Sequence, residues 1–197
     1  MNNKKYIEEI SQFLSELIKT GTLRNRDFSK LPMNDDLYDL ESRTLSHHTR
    51  KKVVRTCSWW LTTRAWIEWA KKVTEGKKVL EICAGHGWLR NLIPNWTATD
   101  ITPKTPLVNK FNATEAIEKI KHDILFLAWA PYQSEIDYEA AKTGKPLILI
   151  GEGEGGCTGS EKLWEEFSPV PATDKYDFED VPNWFGLQDR TWLVNWK

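Results

Sequence analysis

The sequence predicts an α/β fold: a doubly wound, mostly parallel sheet with an antiparallel C-terminal strand and an N-terminal helical extension. From residue 78 onward, short apolar runs alternate with amphipathic segments, which is the pattern of β-α-β units. Two of these runs are apolar almost throughout, as expected of strands that are buried on both faces of a parallel sheet. We expect residues 1–50 to form the extension and a linker, and residues 51–197 to form the domain.

The N-terminal segment KKYIEEISQFLSELIKTG has apolar residues at helical spacing and ends in a glycine, so it predicts an amphipathic helix. This helix either caps the domain or binds a partner. Residues 24–43 contain Pro32 and clustered Asn and Asp, which are typical of an irregular linker. Helical patterns resume in LSHHTRKKVVR and TTRAWIEWAKKVTEG.

Four apolar runs then predict strands, in the order KVLEIC, WTATD, HDILFLAWA and KPLILIG. GHGWLRNLI predicts the start of a helix after the first run, and SEIDYEAAKTG predicts a helix that ends at a glycine. GSEKLWEEF predicts a short helix with Ser160 as its N-cap. The last segment, DRTWLVNW, alternates apolar and polar residues and predicts an edge or antiparallel strand.

The composition argues against several classes of protein. The formal net charge is −1, so the whole chain has no strong field that would favour nucleic acid or a membrane. The cysteines Cys57, Cys83 and Cys157 are odd in number and widely spaced, which is typical of reduced thiols in a cytoplasmic protein. No apolar run reaches the ~18 residues that span a bilayer, and the N-terminus is polar. We therefore expect no membrane helix and no signal peptide.

The stretch VLEICAGHGWL is the strongest candidate for a functional site. It places Glu81 at the end of the first strand, followed by Gly85 and Gly87, and Asp100 ends the second strand. In a doubly wound sheet, ligands bind beyond the carboxyl ends of the strands, where glycines let the backbone approach them. The order of these features favours a nucleoside cofactor over the alternative, a tight structural turn.

The details of this stretch argue against a dinucleotide such as NAD. A dinucleotide site usually has a third glycine three residues after the second, and this chain has none there. Glu81 would repel a pyrophosphate but suits a cationic ligand. S-adenosylmethionine carries an ammonium, a sulfonium and a ribose diol, and Asp100 can accept hydrogen bonds from the diol.

These residues resemble the class I S-adenosylmethionine-dependent methyltransferases, a Rossmann-like family whose first motif is acid-x-Gly-x-Gly-x-Gly. Glu81, Gly85 and Gly87 match this motif, whereas Cys83 stands where the first glycine is usual, and Asp100 matches the ribose-binding acid of the family. The resemblance implies S-adenosylmethionine as the cofactor. The residues that would bind it are Glu81, Cys83, Gly85, Gly87, Asp100, Ala128 and Trp129.

The resemblance extends over about residues 50–197 to a little-characterised group of methyltransferase-like proteins. The blocks that carry it are RTCSWWLTTRAW, VLEICAGHGWL, DILFLAWAPY, LILIGEGEGGCTGS and VPNWFGLQDRTWLV. GEGEGGCTG is the most specific of these elements. The group implies the fold and the cofactor and leaves the methyl acceptor open.

The block AWAPY, residues 128–132, lies where amino-group methyltransferases carry Asp/Asn-Pro-Pro-aromatic. In those enzymes the Asp or Asn side chain accepts hydrogen bonds from the amino group that is methylated. Trp129 occupies this position and cannot accept a hydrogen bond, which disfavours adenine, cytosine and glutamine amides as acceptors. Tyr132 is a candidate catalytic residue that shapes an aromatic wall over the acceptor. In the alternative, Trp129 and Tyr132 only pack against the edge of the sheet.

The loop GEGEGGCTGS, residues 151–160, has five glycines in nine residues, which are costly to order. Glu152 or Glu154 can serve as a general base, and we take Glu152 as the second candidate catalytic residue. Cys157 is either a nucleophile or, as we prefer, a small packing residue. No metal site is predicted, because no acid or Cys partner lies at metal-binding spacing from His47, His48 or His122.

The basic segment HHTRKKVVR, with Trp59 and Trp60 nearby, either contacts RNA or DNA or forms a solvated helix face. The residues that would contact phosphates are Arg50, Lys51, Lys52 and Arg55. The leading interpretation of the whole chain is methyl transfer from S-adenosylmethionine to an unidentified acceptor. The alternative is a non-catalytic binding or interaction protein on the same scaffold, which the residues at Cys83 and Trp129 favour.

Overall fold

The computed structural model describes residues 58–60, 64–93, 95–178, 180–181 and 187–197. The predicted N-terminal helix, the linker, the basic segment around Arg50 and the boundary at residue 50 lie outside these residues. In the described part of the chain, no helix has the length and apolar character needed to cross a membrane.

The described residues form a sheet with helices on its faces. The helices are α1 (Arg64–Val73), α2 (Ala113–Lys119), α3 (Ile136–Lys142) and α4 (Glu161–Glu166), with 3-10 turns at Trp88–Asn91 and Ala172–Asp174. The strands are β1 (Val79–Ile82), β2 (Trp96–Asp100), β3 (Asn109–Lys110), β4 (Ile124–Ala128), β5 (Leu147–Gly151), β6 (Val170–Pro171) and β7 (Arg190–Val194).

The sheet has the order β3-β2-β1-β4-β5-β7-β6. The first five strands in this order run parallel, and β7 pairs antiparallel with both β5 and β6. The predicted doubly wound, mostly parallel α/β fold with an antiparallel C-terminal strand is therefore confirmed. Of the two positions predicted for that strand, edge or antiparallel, β7 takes the second, since it lies between two neighbours.

Alternation along the central strands divides the core into two layers. Val79 and Phe126 face a layer that includes α1 and the buried Trp66 and Trp96. Leu80 faces the opposite layer, which contains apolar residues of α2, α3 and α4. All residues of β1 and β5 are buried, as the apolar runs predict, because helices cover both faces of these strands. This arrangement exposes only the ends of the central strands to ligands.

The structure also differs from the sequence prediction in several short elements. The segment after Gly87 forms only the 3-10 turn Trp88–Asn91 rather than the start of an α-helix. The strands β3 and β6 and the helix α2 are additional elements. Ser160 occupies the N-cap position of α4, but its hydroxyl donates to Asp137 instead of capping the helix.

Candidate cofactor and acceptor site

Glu81 lies at the carboxyl end of β1, in the middle of the sheet. Its side chain is 4% exposed, and its buried Oε2 atom accepts no hydrogen bond from the described residues. Burial raises the pKa of the Glu81 carboxyl to about 8, and the charge of Asp100 adds to the rise. A buried carboxyl without a partner is a candidate contact for a ligand with a cationic group.

Hydrogen bonds join the turn that follows β1 to the end of β2. The Ala84 amide donates to the Thr99 carbonyl at 2.9 Å. The Gly85 amide donates to Asp100 Oδ2 at 2.8 Å, and Asp100 Oδ1 accepts from the Thr102 amide at 2.7 Å. Asp100 therefore already fixes the shape of the turn, in addition to any contact with a ligand.

The two positions of this turn that carry glycine do so for different structural reasons. Both have left-handed backbone angles, with φ of 55° at Gly85 and 62° at Gly87. A side chain at Gly85 would meet no atom within 4 Å, so open space lies next to this backbone. A side chain at Gly87 would instead collide with Val108 and lie against Ala98. Gly85 leaves room for a ligand, whereas packing against β2 already requires glycine at position 87.

Cys83 has the left-handed φ of 57° directly after β1. This backbone favours glycine, the residue usual at this position in the family that the motif resembles. Burial raises the pKa of the Cys83 thiol to about 11, with smaller contributions from the charges of Asp100 and Glu81. The thiol therefore stays neutral beside Glu81, and this environment disfavours a thiolate nucleophile.

The residues after β4 carry aromatic side chains. Ala128, the last residue of β4, is partly buried, and Trp129 has a φ of 54°, a strained angle for a bulky residue. Trp129 donates its amide to the Ile150 carbonyl at 2.8 Å and stacks on Trp59, with ring centroids 5.6 Å apart. Such strain often accompanies functional sites. Tyr132 does not pack against the sheet, since it is 67% exposed.

A cleft of about 340 Å³ separates the segment after β4 from the glycine-rich loop. Its lining includes Tyr132 and Gln133 from the first segment and Gly155, Gly156 and Thr158 from the loop. The Gly159 amide donates to the Ala130 carbonyl at 3.1 Å, which joins the two segments. The fold thus brings together AWAPY and GEGEGG, which are separated by residues 133–150 of the chain.

Glu152 holds the glycine-rich loop in place. Its Oε2 atom accepts from the Cys157 amide at 2.7 Å, and its Oε1 atom accepts from the Gln188 amide at 3.3 Å. Both oxygens thus contribute to the shape of the loop, while Glu154 and Cys157 are exposed. The role of Glu152 as a general base stays a prediction.

Asp137 is a residue of this region that the sequence analysis missed. It is fully buried, and its carboxylate accepts from the Ser160 amide at 2.9 Å and from the Ser160 hydroxyl at 3.0 Å. A side chain at Gly159 would collide with this carboxylate. Helical spacing could have identified Asp137 as a buried residue, since it shares a face of α3 with the buried Ala140 and Ala141.

We expect Glu152→Gln to lower the free energy of unfolding by about 1–2 kcal/mol, because the amide group replaces one acceptor oxygen by a donor that faces a backbone N–H. Denaturant unfolding measures this loss. Glu154→Gln is the matched control on an exposed side chain, where we expect a change within about 0.5 kcal/mol. Equal stability of both variants would contradict the structural role of Glu152.

Part of the chain is similar in sequence to a known methyltransferase. No protein-family model matches the chain. The ribosomal RNA small subunit methyltransferase C of Aliivibrio salmonicida (strain LFI1238) is 31% identical over 77 residues, which are 36% of this chain, and the chain spans 23% of that protein.

Two solved structures are similar over most of the chain. A mutant of MtNAS has a TM-score of 0.45 at 13% identity, with 98% of this chain and 89% of that chain covered. The trans-methyltransferase CalH in complex with SAH has a TM-score of 0.41 at 12% identity, with 98% and 83% covered. Over the 77 residues matched in sequence the chain is similar to a methyltransferase, and Glu81, Gly85 and Asp100 are the residues that resemble the class I S-adenosylmethionine-dependent methyltransferases.

Proposed function

We propose that this protein transfers the methyl group of S-adenosylmethionine to an acceptor that binds in the cleft beside the glycine-rich loop. The observation that carries the proposal is the buried Glu81 carboxyl, whose Oε2 has no partner among the described residues, four positions before the open turn at Gly85. Such a carboxyl is stable in a complex when a cation reaches it. S-adenosylmethionine supplies both that cation and the methyl group.

Three residues of this chain would hold the cofactor. Glu81 would bind the ammonium group, and the backbone at Gly85 would pass close to the ligand because no side chain fills that space. Asp100 would accept hydrogen bonds from the ribose diol with the lone pairs that the Gly85 and Thr102 amides leave free. A nicotinamide dinucleotide does not suit this set, because the Asp100 carboxylate opposes a pyrophosphate and Glu81 offers it no positive charge.

The acceptor would lie in the cleft, with Tyr132 on one side and the glycine-rich loop on the other. Holding its nucleophile in line with the methyl group would supply much of the rate acceleration. Trp129 offers no hydrogen-bond acceptor to an amino group, which disfavours exocyclic amines. Because the relative with sequence similarity is a ribosomal RNA methyltransferase, RNA is the first acceptor to assay.

We expect Asp100→Ala to weaken the binding of S-adenosylhomocysteine by about 10- to 100-fold, since a charge-assisted hydrogen bond contributes ~1.5–3 kcal/mol. Isothermal titration calorimetry measures this change. Asp123→Ala is the matched control, because Asp123 accepts from the Lys78 amide at the opposite end of the sheet. A variant that binds as tightly as the parent chain would contradict the assignment of Asp100.

A non-catalytic binding protein on the same scaffold is the second candidate. Two carboxylates near the cleft favour it. Glu152 and Asp137 both accept hydrogen bonds from the loop, so they already have a structural role and are not free to act as a general base. A transfer assay with methyl-labelled S-adenosylmethionine separates the candidates. Binding of the cofactor without labelling of RNA, protein or small-molecule acceptors would support the second.

Nucleic-acid binding through Arg50, Lys51, Lys52 and Arg55 is a further part of the proposal. These residues lie outside the described part of the chain, so sequence composition alone supports it. If they contact phosphates, RNA or DNA binding should weaken steeply with salt, and Arg50→Ala with Lys51→Ala should reduce it. Gel shifts without retention at low salt would exclude this contact.

A further inference from the structure

The environment of Glu81 opposes a negative charge on its carboxyl. The side chain is 4% exposed, and Oε2 has neither solvent contact nor a hydrogen-bond donor among the described residues. Burial without a partner penalises an ionised carboxyl far more than a neutral one. The geometry therefore favours the protonated form in the ligand-free protein.

The groups around Glu81 add no compensating cation. Within the described residues, no lysine, arginine or histidine forms an ion pair with Glu81. On β2, Asp100 contributes a negative charge, and on β4, the register partner Phe126 is apolar. The neutral Cys83 thiol lies two residues further along the chain. In the turn and the 3-10 helix, His86 is partly buried, and the exposed Arg90 donates to the Leu107 carbonyl at 2.6 Å.

We propose that Glu81 is the residue that selects a ligand with a cationic end, and that it does so by exchanging a proton for that cation. The free protein carries a neutral carboxyl, the complex carries a carboxylate paired with the ligand's ammonium, and the proton passes to solvent. This inference rests on the proposed function, because it takes the methionine end of the cofactor as the cation.

The direction of the exchange agrees with the charge state of the free protein. Burial and Asp100 raise the pKa of Glu81 to about 8, so that the protonated form predominates at pH 7. An ammonium group at contact distance favours the ionised form and lowers this pKa. Each binding event at pH 7 should therefore release most of one proton.

Two adenosine probes separate this mechanism from ordinary binding. S-adenosylhomocysteine has the ammonium group, whereas 5′-methylthioadenosine has the same adenosine and thioether without it. Between pH 6 and pH 7, we expect the affinity for S-adenosylhomocysteine to rise by about tenfold, because one proton must leave. The affinity for 5′-methylthioadenosine should not depend on the state of Glu81.

Calorimetry in two buffers of different ionisation enthalpy gives the number of protons that each probe releases at pH 7. With the parent chain, we expect the release of most of one proton for S-adenosylhomocysteine and none for 5′-methylthioadenosine. The Glu81→Gln variant is a neutral isostere that keeps the packing of the protonated carboxyl. It should bind both probes without releasing protons, and its affinity for S-adenosylhomocysteine should no longer rise between pH 6 and pH 7.

S-adenosylhomocysteine binding without proton release would overturn this inference and leave the proposed function intact. Absence of binding between pH 6 and pH 9 would contradict the proposed function and the inference with it. Carbon-13 NMR titration of the Glu81 carboxyl in the ligand-free protein provides an independent test. An ordinary glutamate pKa in that titration would also overturn the inference.

Discussion

The Glu81→Gln variant is expected to gain about 4 kcal/mol in unfolding free energy over the parent chain when the pH rises from 5 to 9. The folded chain holds the proton of Glu81 up to a pKa of about 8, whereas the unfolded chain loses it near the ordinary value of 4.5. Between these values the folded state binds more protons, so stability falls by about 1.4 kcal/mol per pH unit. The neutral carboxyl stabilises the fold below pH 4.5, and this contribution is lost as the pH rises through 8. Glutamine does not titrate and lacks this loss.

Denaturant unfolding of the parent chain and of Glu81→Gln, without ligand, gives the difference between their free energies of unfolding at pH 5 and at pH 9. The change in this difference between the two pH values measures the effect. Titrating groups that do not interact with Glu81 are common to the two chains and cancel. Glu75→Gln is the matched control for replacing glutamate by glutamine, since the Glu75 side chain is exposed. A constant difference between the parent chain and Glu81→Gln at the two pH values would contradict the neutral state of Glu81.

Gly87→Ala is expected to lower the free energy of unfolding by about 2–5 kcal/mol. The left-handed φ of 62° costs a residue with a side chain about 1–2 kcal/mol, and the new Cβ would collide with the buried Val108 and press on Ala98. Overpacking of this kind costs about 1–3 kcal/mol more. Thermal or denaturant unfolding of the variant measures the sum.

Gly85→Ala is the matched control, because its φ of 55° is similar and its side chain would meet no atom within 4 Å. Its free energy of unfolding should fall only by the backbone contribution of about 1–2 kcal/mol. It should also weaken the binding of S-adenosylhomocysteine, because the added side chain enters the space left for the ligand. If Gly85→Ala and Gly87→Ala lose the same stability, then Val108 moves aside and packing does not require Gly87.

The sequence was sufficient for the central part of the fold. The strands β1, β2, β4 and β5 could be predicted because their apolar runs are continuous or alternate cleanly. The strands β3 and β6 have two residues each, which is too short for any periodic signal. The helix α2 was missed, although Asn112 before it is a usable signal: its side chain accepts from the Thr114 amide at 2.9 Å.

The candidate site was less accessible from sequence, because its interactions join distant positions. Glu152 accepts from the amide of Gln188, 36 residues later, and Asp137 pairs with Ser160, 23 residues later. The collision that excludes a side chain at Gly87 involves Val108 on another segment. Residue type and spacing identified Glu81 and Asp100 as candidates, but only the packing shows which glycine borders open space.

The position of β7 between β5 and β6 has a consequence for biosynthesis. Residues Arg190–Val194 follow both neighbours in the chain, so a ribosome must synthesise them before the free side of β5 can be paired. Until then, the nascent chain presents the apolar strand Leu147–Gly151 as an open edge, which can pair with another chain. We therefore expect fragments that stop before residue 190 to aggregate more readily than the whole chain.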